Sequence, residues 1–151
     1  MIYPILNLIE TKRITMSKIA LDTNILIYCH DHTDLYKQNI ARDLILQSPI
    51  IPAQVVSEYI NVLRRMPAIP KEKVLWLCAK TLENVQIHPV DVQEIKLAEQ
   101  LMLRYHLQIF DSIIIASSIT SGCEILYSED MQHNFIVDCK LIIINPFISM
   151  Q

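Results

Sequence analysis

A single glycine, Gly122, stands in a sequence of 151 residues. Both the dinucleotide fingerprint and the phosphate-cradling P-loop need several glycines in one turn, so no nucleotide cofactor is expected from motif. Long apolar runs are missing as well. The longest, Val74 to Ala79, falls far short of the roughly 20 residues that a membrane span needs, and no membrane partner is expected. Cys29, Cys78, Cys123 and Cys139 include no CxxC pair and read as small buried hydrophobes in a reducing compartment, not as a disulfide or zinc framework. A secretory signal places its basic residues first, whereas Lys12 and Arg13 follow the apolar stretch from Ile5 to Ile9. The expected location is the cytoplasm. Positive charge is in deficit, 13 Lys and Arg against 16 Asp and Glu, for a net charge of −3. No global field draws in a polyanion, so any nucleic acid must be held by a local patch or through metal.

What is present is apolar residue, 52 % of the chain against 19 % charged, which fits one globular domain with a sizeable core. Short β-branched runs alternate with segments of helical period. Ile19-Ala20-Leu21 reads as a buried strand followed at once by a helix from Asn24 to His30. A helix from Asp34 to Gln47, a strand at Ile50-Ile51 and a helix from Pro52 to Met66 come next, the last carrying Val55, Val56, Tyr59, Ile60, Leu63 and Met66 on one face. Further helices are expected at Lys71 to Asn84, Asp91 to His106 and Asp111 to Ser121, with strands at Val85 to Ile87, Glu124 to Tyr127 and Lys140 to Ile144. Parallel neighbours need a helical crossover, so this alternation predicts an α/β fold with a parallel sheet covered on both faces. Met16-Ser17-Lys18 looks like a second start. Residues 1–15 are therefore expected to be an N-terminal extension or a misassigned start, and residues 16–151 the domain.

In open parallel sheets ligands gather beyond the carboxyl ends of the strands. Asp22 directly follows the first strand, and Glu129-Asp130 follow Ile125-Leu126-Tyr127-Ser128. Glu58 lies between Val55 and Val62 on an amphipathic helix, and Asp111 opens the apolar Ile113 to Ile119 helix. Singly, each has a local explanation: Asp22 and Asp111 as helix caps, Glu58 on a wet helix edge, Asp130 in a turn. Together, four carboxylates beside an apolar core with no adjoining lysine or arginine are costly unless neutralised. An all-oxygen ligand set suits Mg²⁺ or Mn²⁺.

Four segments, Leu21-Asp22-Thr23-Asn24-Ile25-Leu26, Val55-Val56-Ser57-Glu58-Tyr59, Phe110-Asp111-Ser112-Ile113-Ile114-Ile115-Ala116 and Ser128-Glu129-Asp130-Met131-Gln132-His133, resemble in their order the PIN-domain ribonucleases, most closely the VapC-type toxins of toxin–antitoxin modules. The resemblance runs from Met16 to about Pro146. It implies an α/β/α sandwich on a parallel sheet and a metal-dependent endoribonuclease. It also implies Asp22 and Asp111 as principal metal ligands, Glu58 and Asp130 completing the acidic cluster, and Asn24 and Ser128 as supporting polar groups. It further implies a cognate antitoxin that brings an arginine to the carboxylates, and a two-fold homodimer. The family's fourth motif usually runs on to glycine. Here Asn134 takes that place, the residue next most tolerant of positive φ.

A bound divalent cation would activate water and clamp phosphate oxygens, so the expected reaction is metal-assisted hydrolysis of RNA. Arg64, Arg65, Lys71, Lys73 and Lys80 form the candidate RNA-binding stretch. Trp76 among them reads as a core residue, and Cys29-His30-Asp31-His32 as an exposed helix end. The rivals are a metal-free histidine mechanism, a housekeeping RNA-processing PIN nuclease, and a catalytically silent PIN-like binding module.

Overall fold

Every residue of β1 (Ile19–Leu21) and of β2 (Ile50–Pro52) is buried in the computed structural model, which describes residues 17–148. Successive strand side chains point to opposite faces, so unbroken burial requires cover on both. The expected extension, residues 1–15, lies outside the described residues. The sheet runs in the order β3-β2-β1-β4-β6-β5, with β3 (Gln86–His88), β4 (Ile125–Tyr127), β5 (Phe135–Val137) and β6 (Leu141–Ile144). All neighbours pair in parallel except β5 with β6. The expected α/β architecture, a largely parallel sheet flanked by helices, is the one observed.

The helices are α1 (Thr23–Tyr28), α2 (Leu35–Ile45), α3 (Ala53–Leu63), α4 (Val74–Thr81), α5 (Val92–Tyr105) and α6 (Ile109–Thr120). Pro52 precedes α3 in extended geometry, as a proline with fixed φ can. Asp34 and Asp91 cap α2 and α5 through their carboxylates, and Asp91 with Glu94 makes a reciprocal capping box.

Several expectations need correction. β5 was not anticipated and gives the sheet an antiparallel edge. The Phe135-Ile136-Val137 run signals it, and the turn that follows places Asp138 and Cys139 at φ of 50° and 54°, the paired positive values a tight hairpin needs. The helix expected over Lys71 to Asn84 is a 3-10 turn at Lys71–Lys73 followed by the shorter α4. Trp76 is 62 % exposed, because α4 buries Val74 and Cys78 one turn apart and thereby turns Trp76 outward. Cys139 is exposed, although the other three cysteines are buried. His30 does not sit on an exposed helix end: its ring stacks on Tyr59 and hydrogen-bonds the Tyr59 hydroxyl. Asn134 has φ of 62°, so the turn that would favour glycine is kept with asparagine.

The buried Glu94 carboxylate accepts from the Asp91 N–H at 3.2 Å and from Thr120 Oγ1 at 2.8 Å, and lies 2.8 Å from His88 Nε2. It thereby ties α5 to α6 and β3. These bonds, the Asp91 N–H foremost, hold its carboxyl down to about 2. A depressed folded value stabilises the fold fully above the ordinary 4.5 and loses that contribution as pH falls toward about 2. We expect Glu94→Ala to destabilise the protein by about 1–3 kcal/mol at neutral pH, because it orphans buried donors. The deficit against the parent should shrink when denaturant unfolding is repeated near pH 2.5, and a deficit constant over that window would refute the assignment.

Candidate functional site

β1 lies at the middle of the sheet, with β2 on one side and β4 on the other. The chain moves outward through β2 and β3 and returns to β4 across β1, which opens a crevice at the carboxyl ends of β1 and β4. Asp22 leaves β1 at that point, and its N–H continues the ladder by donating to the Tyr127 carbonyl at 2.9 Å. Ser128, Glu129 and Asp130 leave β4 beside it. α1 starts directly after Asp22 and packs on α3, which carries Glu58. α3 in turn contacts α6, which carries Asp111. Asp111 is the third residue of α6 and not its cap; Gln108 occupies the cap position without a side-chain bond.

These four elements place Asp22, Glu58, Asp111 and Asp130 around one cavity of about 550 Å³, together with Thr23, Asn24 and Asn61. Among the described residues, no lysine, arginine or histidine lines it. Asp22 is buried: its Oδ1 accepts the Thr23 N–H at 2.7 Å and its Oδ2 accepts the Ser128 hydroxyl at 2.7 Å. The Ser128 oxygen also accepts the Met131 N–H at 3.2 Å, which fixes the direction of its proton. Thr23 serves a second acid, donating its hydroxyl to Glu58 Oε2 at 2.8 Å, while Gln54 donates to Glu58 Oε1 at 3.1 Å. Asn24 donates to Asp130 Oδ2 at 2.9 Å and accepts the Glu129 N–H at 3.3 Å.

The anionic charge is poorly compensated. Burial pushes the Asp22 carboxyl up to about 6; the Ser128 and Thr23 bonds oppose the rise and the charges of Asp111 and Glu58 add to it. Asp111 is raised by burial first and then by Glu58 and Asp130, with no hydrogen bond lowering it. The fifth carboxylate at the rim, Glu129, is neutralised separately by Lys37, whose Nζ lies 2.5 Å from Oε1 and 3.1 Å from the Tyr28 hydroxyl. Among the described residues no three His, Cys, Asp or Glu side chains form a ready-made ligand cage. A hard cation fits this donor set, since among the described residues the half-buried Asp111 carboxylate receives no hydrogen bond and the oxygens nearby are carboxylate, amide and hydroxyl.

The sequence reading missed Thr23, whose one side chain and one N–H bind two of the acids, and Lys37. Thr23 was legible as the neighbour of Asp22, but its reach to Glu58 depends on α1 packing against α3. Of the five candidate cations, Arg64 is tied to the cavity, donating from Nε to Asn61 Oδ1 at 2.8 Å. Lys80 opens instead into a separate cavity with His30 and Arg42, and Lys73 lies beside Glu72 and Trp76. The five do not share one pocket.

The PIN domain family model matches residues 19–135. A toxin–antitoxin complex from Klebsiella pneumoniae superposes with a TM-score of 0.65 at 17 % identity, covering 85 % of this chain and 98 % of that one. VapBC2 from Rickettsia felis, bound to a promoter DNA fragment, gives 0.60 at 17 % identity over 83 % and 96 %. The sarcin-ricin loop cleaving toxin VapC20 from Mycobacterium tuberculosis gives 0.60 at 18 % identity over 75 % and 90 %. Among curated proteins none matches this chain in sequence.

The raised carboxyl of Asp22 gives a prediction for the metal-free protein. A folded value of about 6 above the ordinary 3.8 leaves stability intact below 3.8 and removes it as pH rises through about 6. That shift corresponds to about 3 kcal/mol. In EDTA, Asp22→Asn should gain on the parent by up to that amount between pH 4 and pH 7.5, measured by denaturant unfolding. Parallel profiles for the two proteins would mean that Asp22 carries no such burden.

Proposed function

The chain belongs to the PIN domain family, and on that premise we propose that it is a metal-dependent endoribonuclease of the VapC type, the toxin of a toxin–antitoxin pair acting in the cytoplasm. The single observation that carries the reading is the convergence of Asp22, Glu58, Asp111 and Asp130 on one cavity that no lysine, arginine or histidine among the described residues lines. Asp22 and Asp111 are assigned as the principal ligands of Mg²⁺ or Mn²⁺, with Glu58 and Asp130 completing the set. When bound, the cation would lower the pKa of water and neutralise the phosphate's developing charge.

The chain's own residues do the rest. Ser128 and the Thr23 N–H hold both oxygens of Asp22, Thr23 and Gln54 fix Glu58, and Asn24 fixes Asp130. Their rotamers are thus set before substrate arrives, the preorganisation that catalysis favours. Lys37 keeps Glu129 from adding a fifth free charge to those that a phosphate must approach. Arg64 and Arg65 at the end of α3 are assigned to RNA phosphates at the near rim, with Lys71, Lys73 and Lys80 farther along the strand. The sarcin-ricin loop cleavage named for one similar structure supports RNA as the substrate.

The exposed Leu35 and Tyr36 of α2, Leu46 at its C-terminal cap and Val62 of α3 would receive an amphipathic antitoxin helix, whose arginine would pair with the carboxylates in place of the cation. Exposed Leu103, Ile109 and Phe110 offer apolar surface for a homodimer.

Asp22→Asn or Asp111→Asn should lower RNA cleavage by about a hundredfold or more with the circular dichroism spectrum unchanged, and EDTA should have the same effect on the parent. Full cleavage in EDTA would sink metal assistance. Expression of the chain alone should arrest growth, and co-expression of a small protein encoded beside it should relieve the arrest. Unimpaired growth with an active enzyme would instead favour a processing nuclease.

A further inference from the structure

Asp111 and Asp130 line two cavities at once. On one side lies the acidic cavity; on the other is a cleft of about 520 Å³ between the α5–α6 connection and the β4–β5 loop. The two carboxylates are therefore a divide, and the second cleft is within reach of a nucleotide adjoining a phosphate that sits among the acids.

The chemistry of the second cleft differs from that of the first. Its floor is Ile115 and Ile143, and Phe135 and Met131 form apolar walls. Tyr105 meets Phe135 edge to face with centroids 5.3 Å apart, and its hydroxyl donates to Asp138 Oδ1 at 2.7 Å and accepts the Asp138 N–H at 3.0 Å. Arg104 closes the same brace with Nη1 2.5 Å from Asp138 Oδ1. The aromatic wall is thus fixed before any ligand arrives. Against it stand two exposed amides, Gln108 and Gln132. Gln108 occupies the α6 cap position yet spends no side-chain bond on the helix. A cleft whose apolar wall faces two exposed amides, and which Arg104 and His106 also line, fits a flat ring with a hydrogen-bonding edge. A glutamine amide offers an adjacent donor and acceptor that match the edge of adenine.

We propose that this cleft is a nucleobase subsite that takes an adenine next to the scissile phosphate, read by Gln108 and Gln132 and stacked against the Phe135 wall. The inference rests on the ribonuclease reading and gives it a sequence preference. The volume lies within the range of small-molecule sites. The position beside Asp111 and Asp130 puts recognition one nucleotide from the chemistry.

Two experiments test it. In the first, the intact protein is titrated with adenosine 5′-monophosphate and, separately, with ribose 5-phosphate while its side-chain amide NMR signals are followed. The Gln108 and Gln132 signals should move with the nucleotide and stay with the sugar phosphate. No movement with either, or equal movement with both, overturns the subsite, whether or not the protein cleaves RNA. In the second, kcat/KM is measured with Mn²⁺ on single-stranded RNAs that differ only in the base at each position flanking the cut. The parent should prefer adenine at one position, and Gln108→Ala/Gln132→Ala should reduce that preference about tenfold. A loss shared equally by all substrates is a structural effect and overturns base reading, as does a parent with no preference. Absence of cleavage by the parent refutes the ribonuclease reading itself, and the NMR titration then decides the cleft alone.

Discussion

Like charges brought together beside an apolar core set the terms for this protein. Asp22 is buried at the end of β1, and Asp111, Glu58 and Asp130 reach the same cavity from two helices and a loop. Burial raises the cost of ionising Asp22 and Asp111, and neighbouring charges add to it, Asp111 and Glu58 at Asp22, Glu58 and Asp130 at Asp111. A fold that merely had to be stable would scatter these groups to solvent or pair them with cations. Here Lys37 pairs with Glu129 at the rim and Arg64 with the Asn61 amide, and among the described residues the inner four have no cationic partner and face the cavity.

The rest of the architecture can be read as what holds that arrangement in place. The reversal of strand order at β1 opens the crevice, and the parallel register Leu21 to Tyr127 sets Asp22 beside Ser128. Thr23 couples α1 to α3 through Glu58, and Asn24 couples α1 to the loop after β4 through Asp130 and Glu129. α6 presents Asp111 in its first turn, where the helix dipole favours an anion, while its buried middle packs beneath. These bonds are local and directional, whereas the repulsion they resist is long-ranged. The site is therefore rigid in its rotamers and strained in its charge.

Much of this was legible in the sequence because each element has its own signal. Asp22 follows three apolar residues that can only be a short buried strand, and Asp91 and Pro52 mark helix starts by known chemistry. The parallel sheet followed from alternation alone. What was not legible depended on which face turned inward. Trp76 was misread because Leu75 and Leu77 flank it, yet the stripe that packs is Val74 and Cys78, and no local rule chooses between the two. β5 was missed because it is short and on the edge, although Phe135-Ile136-Val137 between positive-φ residues carries the hairpin signal. His30 and the Thr23–Glu58 bond needed the packing of α1 on α3, which is tertiary information. The five cations are near one another along the chain, yet Arg64 bonds Asn61 of the acidic cavity while Lys73 and Lys80 line other pockets, the segment between Arg65 and Lys80 turning through Pro67 and Pro70.

Under the proposed function, a divalent cation balances the charge of the four acids. The most direct test is a crystal of the protein soaked in Mn²⁺, with the anomalous difference map calculated at the manganese edge. The account predicts a peak between Asp22 and Asp111, within coordinating distance of both, that disappears in Asp111→Asn. A soaked crystal with no peak among Asp22, Glu58, Asp111 and Asp130, or with manganese bound only elsewhere, would contradict it.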